Sequence, residues 1–336
     1  PSPSSLDTNS ISQYNWLFGC ICSIASATFT IIGLLLMKMA FKEMEELPAD
    51  ELKKRKMIGI PKLGFSSGNK WWLGFFLLVI APLPMDFVAL GLASASLVFP
   101  VGTAANVIVG QVIAPHYFEG EKLGRREWAG TALIVLGATL TSAFGDHTDR
   151  TFTSDEILQL WGADLFLVMF IPLTVLFAIT AALSYFEKLR ARLSNGVFFV
   201  CIVYIPSYMG GVQTIAFKSV SEMTANAVGS DDGVGEFDTW KPWLFVFIVI
   251  PLAVVQLKVI NIGAEYFQAT KFFPTYSAGL MIMVVIYGAA FFEEYDKLHP
   301  VAFPIGLLLL CVGIFMLAGK DPTDSSAVAA AGRRNG

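Results

Sequence analysis

Asp86 stands inside the apolar run IAPLPMDFVALGLA, and Gln256, Lys258, Asn261 and Glu265 stand inside another, VVQLKVINIGAEY. Runs of this kind belong in hydrocarbon, where a charged side chain near the centre costs about 2.5–3.5 kcal/mol on insertion scales. Side chains that bear such a cost either tie helices together or handle a polar solute. The Asp86 carboxylate reads both ways, as a hydrogen-bond anchor or as a group that draws a cation into the membrane. Lys258, Asn261 and Glu265 are spaced i, i+3 and i+7 and share one helical face. That face is expected to line a cavity or a polar helix contact, with Lys258 near enough to an interface to snorkel.

Two further runs carry amides and hydroxyls. Gly102, Asn106, Gly110 and Ala114 form an i+4 stripe of small residues broken by one amide. It reads as close packing with an interhelical hydrogen bond or as pathway lining. Ser207, Gly210, Gly211, Gln213 and Thr214 make the middle of another run polar, with Gly210-Gly211 a hinge or a close-packing point. Lys38 and Lys218 are expected at helix C-termini, where a cation complements the helix dipole and reaches water. His116, His147 and His299 are scattered and form no metal constellation. No Walker A loop, Gly-x-Ser-x-Gly or His-Glu-x-x-His motif occurs. The expectation is a chain that is not an enzyme and needs no cofactor or nucleic acid.

The elements that must position these residues follow from composition. Hydrophobic residues make up 55% of the chain and charged ones 15%, and the mean hydropathy is +0.62. A water-soluble domain of this size carries more charge. Nine apolar stretches (16–37, 71–93, 97–118, 128–143, 165–186, 197–217, 242–262, 272–292 and 302–318) predict an all-α integral membrane protein of about nine spans, the fourth and ninth short. Trp71, Trp72, Trp128, Trp161, Trp240 and Trp243 fall at the ends of these runs, as an aromatic belt would place them. All four cysteines lie inside apolar runs and read as packing residues.

Lysine and arginine set the orientation. With the N-terminus outside and nine alternating spans, seventeen fall in inner segments and three, Arg150, Lys241 and Lys297, in outer ones. The chain then divides into an extracytoplasmic tail (1–14), a membrane domain (15–320) and a cytoplasmic tail (321–336). Thr153-Ser154-Asp155-Glu156, in an outer acidic loop, begins a short amphipathic helix or remains a solvated connector. The inner segment 42–70 mixes both signs and reads as a partly helical linker.

The chain also repeats itself. Residues 95–119, ASLVFPVGTAANVIVGQVIAPHYFE, and 269–293, ATKFFPTYSAGLMIMVVIYGAAFFE, share Phe99-Pro100 and Phe273-Pro274, Ala104 and Ala278, Ile108 and Ile282, and a closing Phe-Glu. Gly130 and Gly137 echo Gly306 and Gly313, Lys38 echoes Lys218, and Leu90-Gly91 echoes Ile262-Gly263. Spans one to four and six to nine would enter from opposite sides, giving two inverted repeats joined by span five. Such repeats give two states of similar energy, one open to each side. Pro100 and Pro274 take matching hinge or packing positions.

The stretches 94–123, 207–218 (SYMGGVQTIAFK) and 254–274 (VVQLKVINIGAEYFQATKFFP) resemble the NIPA-type magnesium transporters of the drug/metabolite transporter superfamily, as do Trp71-Trp72 and the SDEI element at 154–157. The resemblance covers about 15–320. It implies a nine-helix carrier, embedded in the lipid bilayer, that moves Mg2+ and other divalent cations by alternating access without ATP hydrolysis. Gln256 and Asn261 match the family, and Glu265 stands where an aspartate is usual. Leu83 replaces a carboxylate, and Lys258 replaces an asparagine. Asp86 then becomes the residue expected to meet Mg2+ in passing. Two other readings stay open: a carrier of a small organic, even anionic, solute with Lys258 as counter-charge, and a receptor or scaffold without transport. Whether the chain self-associates is also open.

Overall fold

The computed structural model describes residues 15–45, 68–93, 95–118, 124–144, 152–190, 192–229, 237–292 and 298–318. Both tails, His147 and most of segment 42–70 lie outside them. In chain order the helices are α1 (Asn15–Glu45), α2 (Asn69–Phe75), a π-helical turn (Phe76–Ile80), α3 (Pro82–Leu92), α4 (Ala95–Tyr117), α5 (Arg125–Ala143) and α6 (Ser154–Leu160). They continue with α7 (Asp164–Tyr185), α8 (Glu187–Arg190), α9 (Asn195–Gly229), α10 (Trp240–Tyr266), α11 (Ala269–Phe291) and α12 (Ala302–Ala318).

Seven helices among the described residues are long and apolar enough to cross a membrane: α1, the α2–α3 unit, α4, α7, α9, α10 and α11. Two of the nine expected spans are not among them. At 17 residues α12 is about 26 Å long, short of the ~30 Å hydrocarbon core. The other, α5, opens on Arg125, Arg126 and Glu127.

These two helices pack on each other through glycine. A Cβ on Gly137 would lie 2.6 Å from Gly306 O, and one on Gly313 would lie 2.8 Å from Gly130 O. Backbone faces backbone at two points seven residues apart on each helix, where no side chain fits. Gly33 of α1 and Gly74 of α2 meet in the same way, at 2.6 and 2.7 Å.

The π turn between α2 and α3 has a cause in Pro82. Its missing N–H and its ring, which would strike the carbonyl of Leu78 in a regular helix, are accommodated when the turn widens. Ala81 N–H accordingly donates to Phe76 O at 2.9 Å, five residues back.

Both α1 and α9 outrun the expected spans, α9 by twelve residues beyond Phe217. In the extension of α9, Met223 and Ala227 keep helical spacing and are buried with Ser219. Lys38 and Lys218 are therefore interior to helices rather than at their C-termini.

Trp71 is also corrected: it is fully buried among Met37, Ala40 and Leu257, while Trp72, Trp128, Trp240 and Trp243 are exposed as belt residues would be. Of the cysteines, Cys20 and Cys201 are buried and Cys311 is exposed, so packing does not describe all four.

The segment at 153–160 is a helix, α6. Thr153 N–H donates to Glu156 Oε2 at 2.8 Å and Glu156 N–H returns to Thr153 Oγ1 at 3.4 Å, a reciprocal cap. Thr153 Oγ1 also donates to Glu156 Oε2 at 2.9 Å, and the two donations to this carboxyl, from the Thr153 backbone first and its hydroxyl second, hold it below its ordinary value. Ile157 is buried against the aromatic cluster of Phe166, Tyr208, Tyr287 and Phe291, and Asp155 pairs with Lys241 at 2.5 Å.

Candidate functional site

Polar side chains from four helices meet where α4 and α11, the two copies of the repeat, run antiparallel against each other. Asn106 of α4 donates to Ser277 Oγ of α11 at 3.0 Å, and Gln111 Nε2, further along α4, donates to Thr270 O at 2.8 Å, earlier on α11. One residue before Ser277, the Tyr276 hydroxyl accepts from Gln256 Nε2 at 3.0 Å. The same nitrogen donates to Pro206 O at 3.0 Å, and Gln256 Oε1 accepts from Gln213 Nε2 at 2.8 Å. Ser207 Oγ lies 2.7 Å from Val203 O and 3.4 Å from Tyr276 O.

Four residues singled out in the sequence, Asn106, Ser207, Gln213 and Gln256, thus belong to one neighbourhood. Each amide hydrogen bond in a low-dielectric interior fixes the orientation of the next. Asn106 Oδ1 and Gln111 Oε1 are buried without a donor among the described residues. Tyr276, Ser277 and Gln111 escaped sequence reasoning. Tyr276 aligns in the repeat with Gly102 and Ser277 with Thr103, so the pairing of copies was the available signal.

Asp86 stands apart from this group. It is half-buried on α3, and the Ser26 hydroxyl of α1 donates to its carboxylate. Leu83, one turn before it, is 43% exposed.

The shared face of α10 lies at the edge of the buried surface. Asn261 is turned into the core beside Ile260 and Ala264, Glu265 is half-buried, and Lys258 is exposed. A face spread over 60° of the wheel straddles the edge of the buried surface, so its members part company.

The small-residue positions pack. A Cβ on Gly102 would lie 2.6 Å from Ser23 Oγ, and one on Gly110 would lie 3.1 Å from Ile31 Cγ1, both on α1. A Cβ on Gly210 would lie 2.5 Å from Leu280 Cδ1 and 2.6 Å from Gln256 Nε2, and one on Gly211 2.9 Å from Met283 Cβ. Gly210-Gly211 lets the amide network and α11 approach α9, which runs unbroken through both residues. Pro100 and Pro274 are both buried inside their helices.

Lys38 and Lys218 are 4% and 5% exposed, where water was expected to reach them. Lys38 Nζ donates to Phe267 O at 2.6 Å and lies 5.2 Å from the Phe118 ring centroid. Lys218 Nζ lies 4.4 Å from the Phe292 centroid. An ammonium taken from water loses several kcal/mol of hydration. A desolvated cation–π contact returns about 2 kcal/mol of that, and a charged hydrogen bond about 1.5–3 kcal/mol.

No group of three or more His, Cys, Asp or Glu among the described residues could hold a metal ion. The neutral oxygens of the amide neighbourhood and the single Asp86 carboxylate suit brief contact with a hydrated cation better than a closed cage.

No solved structure matches the chain significantly. Three proteins of Arabidopsis thaliana are similar to it over most of their length. The probable magnesium transporter NIPA6 is 23% identical over 305 residues, 90% of this chain and 87% of the relative. The probable magnesium transporter NIPA1 is 23% identical over 312 residues, 92% of this chain and 88% of the relative. The probable magnesium transporter NIPA2 is 22% identical over 316 residues, 93% and 88%. The family model described as Magnesium transporter NIPA matches residues 14–321. That match begins before α1 and ends after α12, and so takes in every described helix: the chain belongs to the magnesium transporter NIPA family.

Proposed function

We propose that this protein carries Mg2+ and other divalent cations across a membrane by alternating access and without ATP hydrolysis. The observation that carries the reading is Asn106. It bonds to Ser277 where the two repeat copies cross, and it keeps a buried carbonyl oxygen that no donor among the described residues meets. Mg2+ prefers oxygen and retains most of its waters, and a free carbonyl there suits a hydrogen bond from an ion-bound water. Asp86 supplies the attracting charge, and Gln213 and Gln256 supply neutral polar groups beyond it.

On this reading α5 and α12 complete nine spans, and α1–α5 and α9–α12 form two inverted repeats joined by α7. The N-terminus is extracytoplasmic and the C-terminus cytoplasmic, as the lysine and arginine distribution supports. Matching lysine–phenylalanine contacts in the two halves support the repeat.

The test is uptake by purified protein in liposomes loaded with a Mg2+ indicator, without nucleotide. Saturable Mg2+ entry that Asn106→Leu abolishes is expected. Entry of small organic anions in place of Mg2+ would overturn the reading in favour of an organic-solute carrier, and no transport of either would leave the receptor or scaffold.

A further inference from the structure

Lys38 and Lys218 share more than their burial. Phe118 and Phe292 close the two repeat copies, and Lys38 and Lys218 are matching lysines of α1 and α9. The same contact, an ammonium against the ring that ends the copy, is therefore built twice. The two instances are far apart. Phe267, which Lys38 bonds, precedes α11, and Phe292 follows it, with 23 residues of helix between. At 1.5 Å per residue that is about 35 Å, the thickness of a membrane core.

Each end also carries contacts between the halves. At the Lys38 end, Leu257 of α10 packs with Met37 of α1 and Trp71 of α2, and the Lys38 hydrogen bond itself joins α1 to the α10–α11 turn. Near the Lys218 end, the Phe217 ring of α9 lies 5.7 Å from the Phe87 ring of α3, and Ser221 Oγ donates to Phe87 O at 3.3 Å. Both ends are tied across the halves at once.

We infer that Lys38 and Lys218 are positioning residues of two latches, one at each end of the pathway, each holding its own end closed. This rests on the proposed alternating-access reading. In the closed end each ammonium lies against its ring, and at the Lys38 end it also satisfies the buried Phe267 carbonyl, an acceptor that is costly to leave without a donor. When that end opens, water replaces the protein around the ammonium and, at the Lys38 end, on the carbonyl as well. Removing the ammonium therefore raises the free energy of the closed end only. With a latch at each end, the carrier must release one to open and can keep the other shut.

The test uses side-specific labelling. Cys20, Cys22, Cys201 and Cys311 are replaced by alanine, and Ser277→Cys or, separately, Thr103→Cys serves as reporter beside the crossing of α4 and α11. A membrane-impermeant thiol reagent is applied to right-side-out and inside-out vesicles. Lys38→Met should raise labelling from the cytoplasmic face about tenfold and lower it from the outer face, as a population shift between two states requires. Lys218→Met should do the reverse, and Lys38→Arg should return labelling toward the parent rates. Shifts in the same direction for both methionine variants, unchanged rates, or reporters that never label would overturn the latches. Opposed shifts need no Mg2+. A chain that shows them but carries no Mg2+ keeps the latches and loses the substrate; one that carries Mg2+ without them does the opposite.

Discussion

Asp86→Asn removes one charge and almost no volume, and the asparagine oxygen can still accept from Ser26. At about 8 Å and an effective dielectric near 20, a single charge changes the energy of a divalent ion by roughly 4 kcal/mol. The variant should keep its expression and thermal stability while Mg2+ uptake falls more than tenfold, read in the liposome assay; a wild-type rate would make Asp86 an anchor only. Lys258 gives the complementary case. It is exposed while Asn261, three residues on, is buried, so Lys258→Asn should leave uptake intact or raise it. Loss of uptake in a well-folded Lys258→Asn protein would mean that the exposed ammonium serves the substrate. Both residues were legible as charges in apolar sequence. Their surroundings were not, because Ser26 and the edge of the buried surface are set by other helices.

Glycine decides how closely the helices approach. A methyl added at Gly137 would face Gly306 O at 2.6 Å and Leu310 Cγ at 2.8 Å, whereas one at Gly196 meets nothing within 4 Å. Gly137→Ala should cost about 1–3 kcal/mol, as overpacked sites do, and lower the unfolding temperature in detergent. Gly196→Ala should leave it unchanged or raise it. The repeat of Gly130 and Gly137 in Gly306 and Gly313 was visible in sequence, but that the two pairs face one another was not.

In α6 the cap adds a pH dependence. Because Glu156 is held below its ordinary value of 4.5, its contribution is complete above that value and disappears as pH falls through the lowered one. Protection factors at 156–160, with the intrinsic pH dependence of exchange divided out, should hold steady at neutral pH, fall only in acid, and be low at all pH in Thr153→Val.

At the scale of the molecule the two halves of the proposed repeat differ in filling. The second half carries Gln213, Gln256 and Tyr276 as a bonded group. The first carries Gly102 at the position aligned with Tyr276, and elsewhere in that half Ser26 of α1 bonds to Asp86 of α3. On the proposed function, the cation would meet charge in one half and neutral oxygen in the other. The orientation that this reading needs is open to labelling at exposed described positions. Asp238→Cys should react with an impermeant reagent on intact cells, and Asn195→Cys only after permeabilisation. Reaction of position 195 from outside would reverse the topology.

Membrane residence, helical class, the duplicated segment and the family were all fixed by the order of residues alone. Length, apolarity and motif are properties of a continuous stretch and need no neighbour. The tertiary structure decided which charges are buried and what each touches. Lys38 and Lys218 looked like helix ends because the apolar runs pause there, yet α1 and α9 continue, since the residues that follow find partners on other helices. Trp71 looked like a belt residue for the same reason and is instead enclosed by α1 and α10. Burial is conferred by segments tens to hundreds of residues away, and only the packed molecule brings them together.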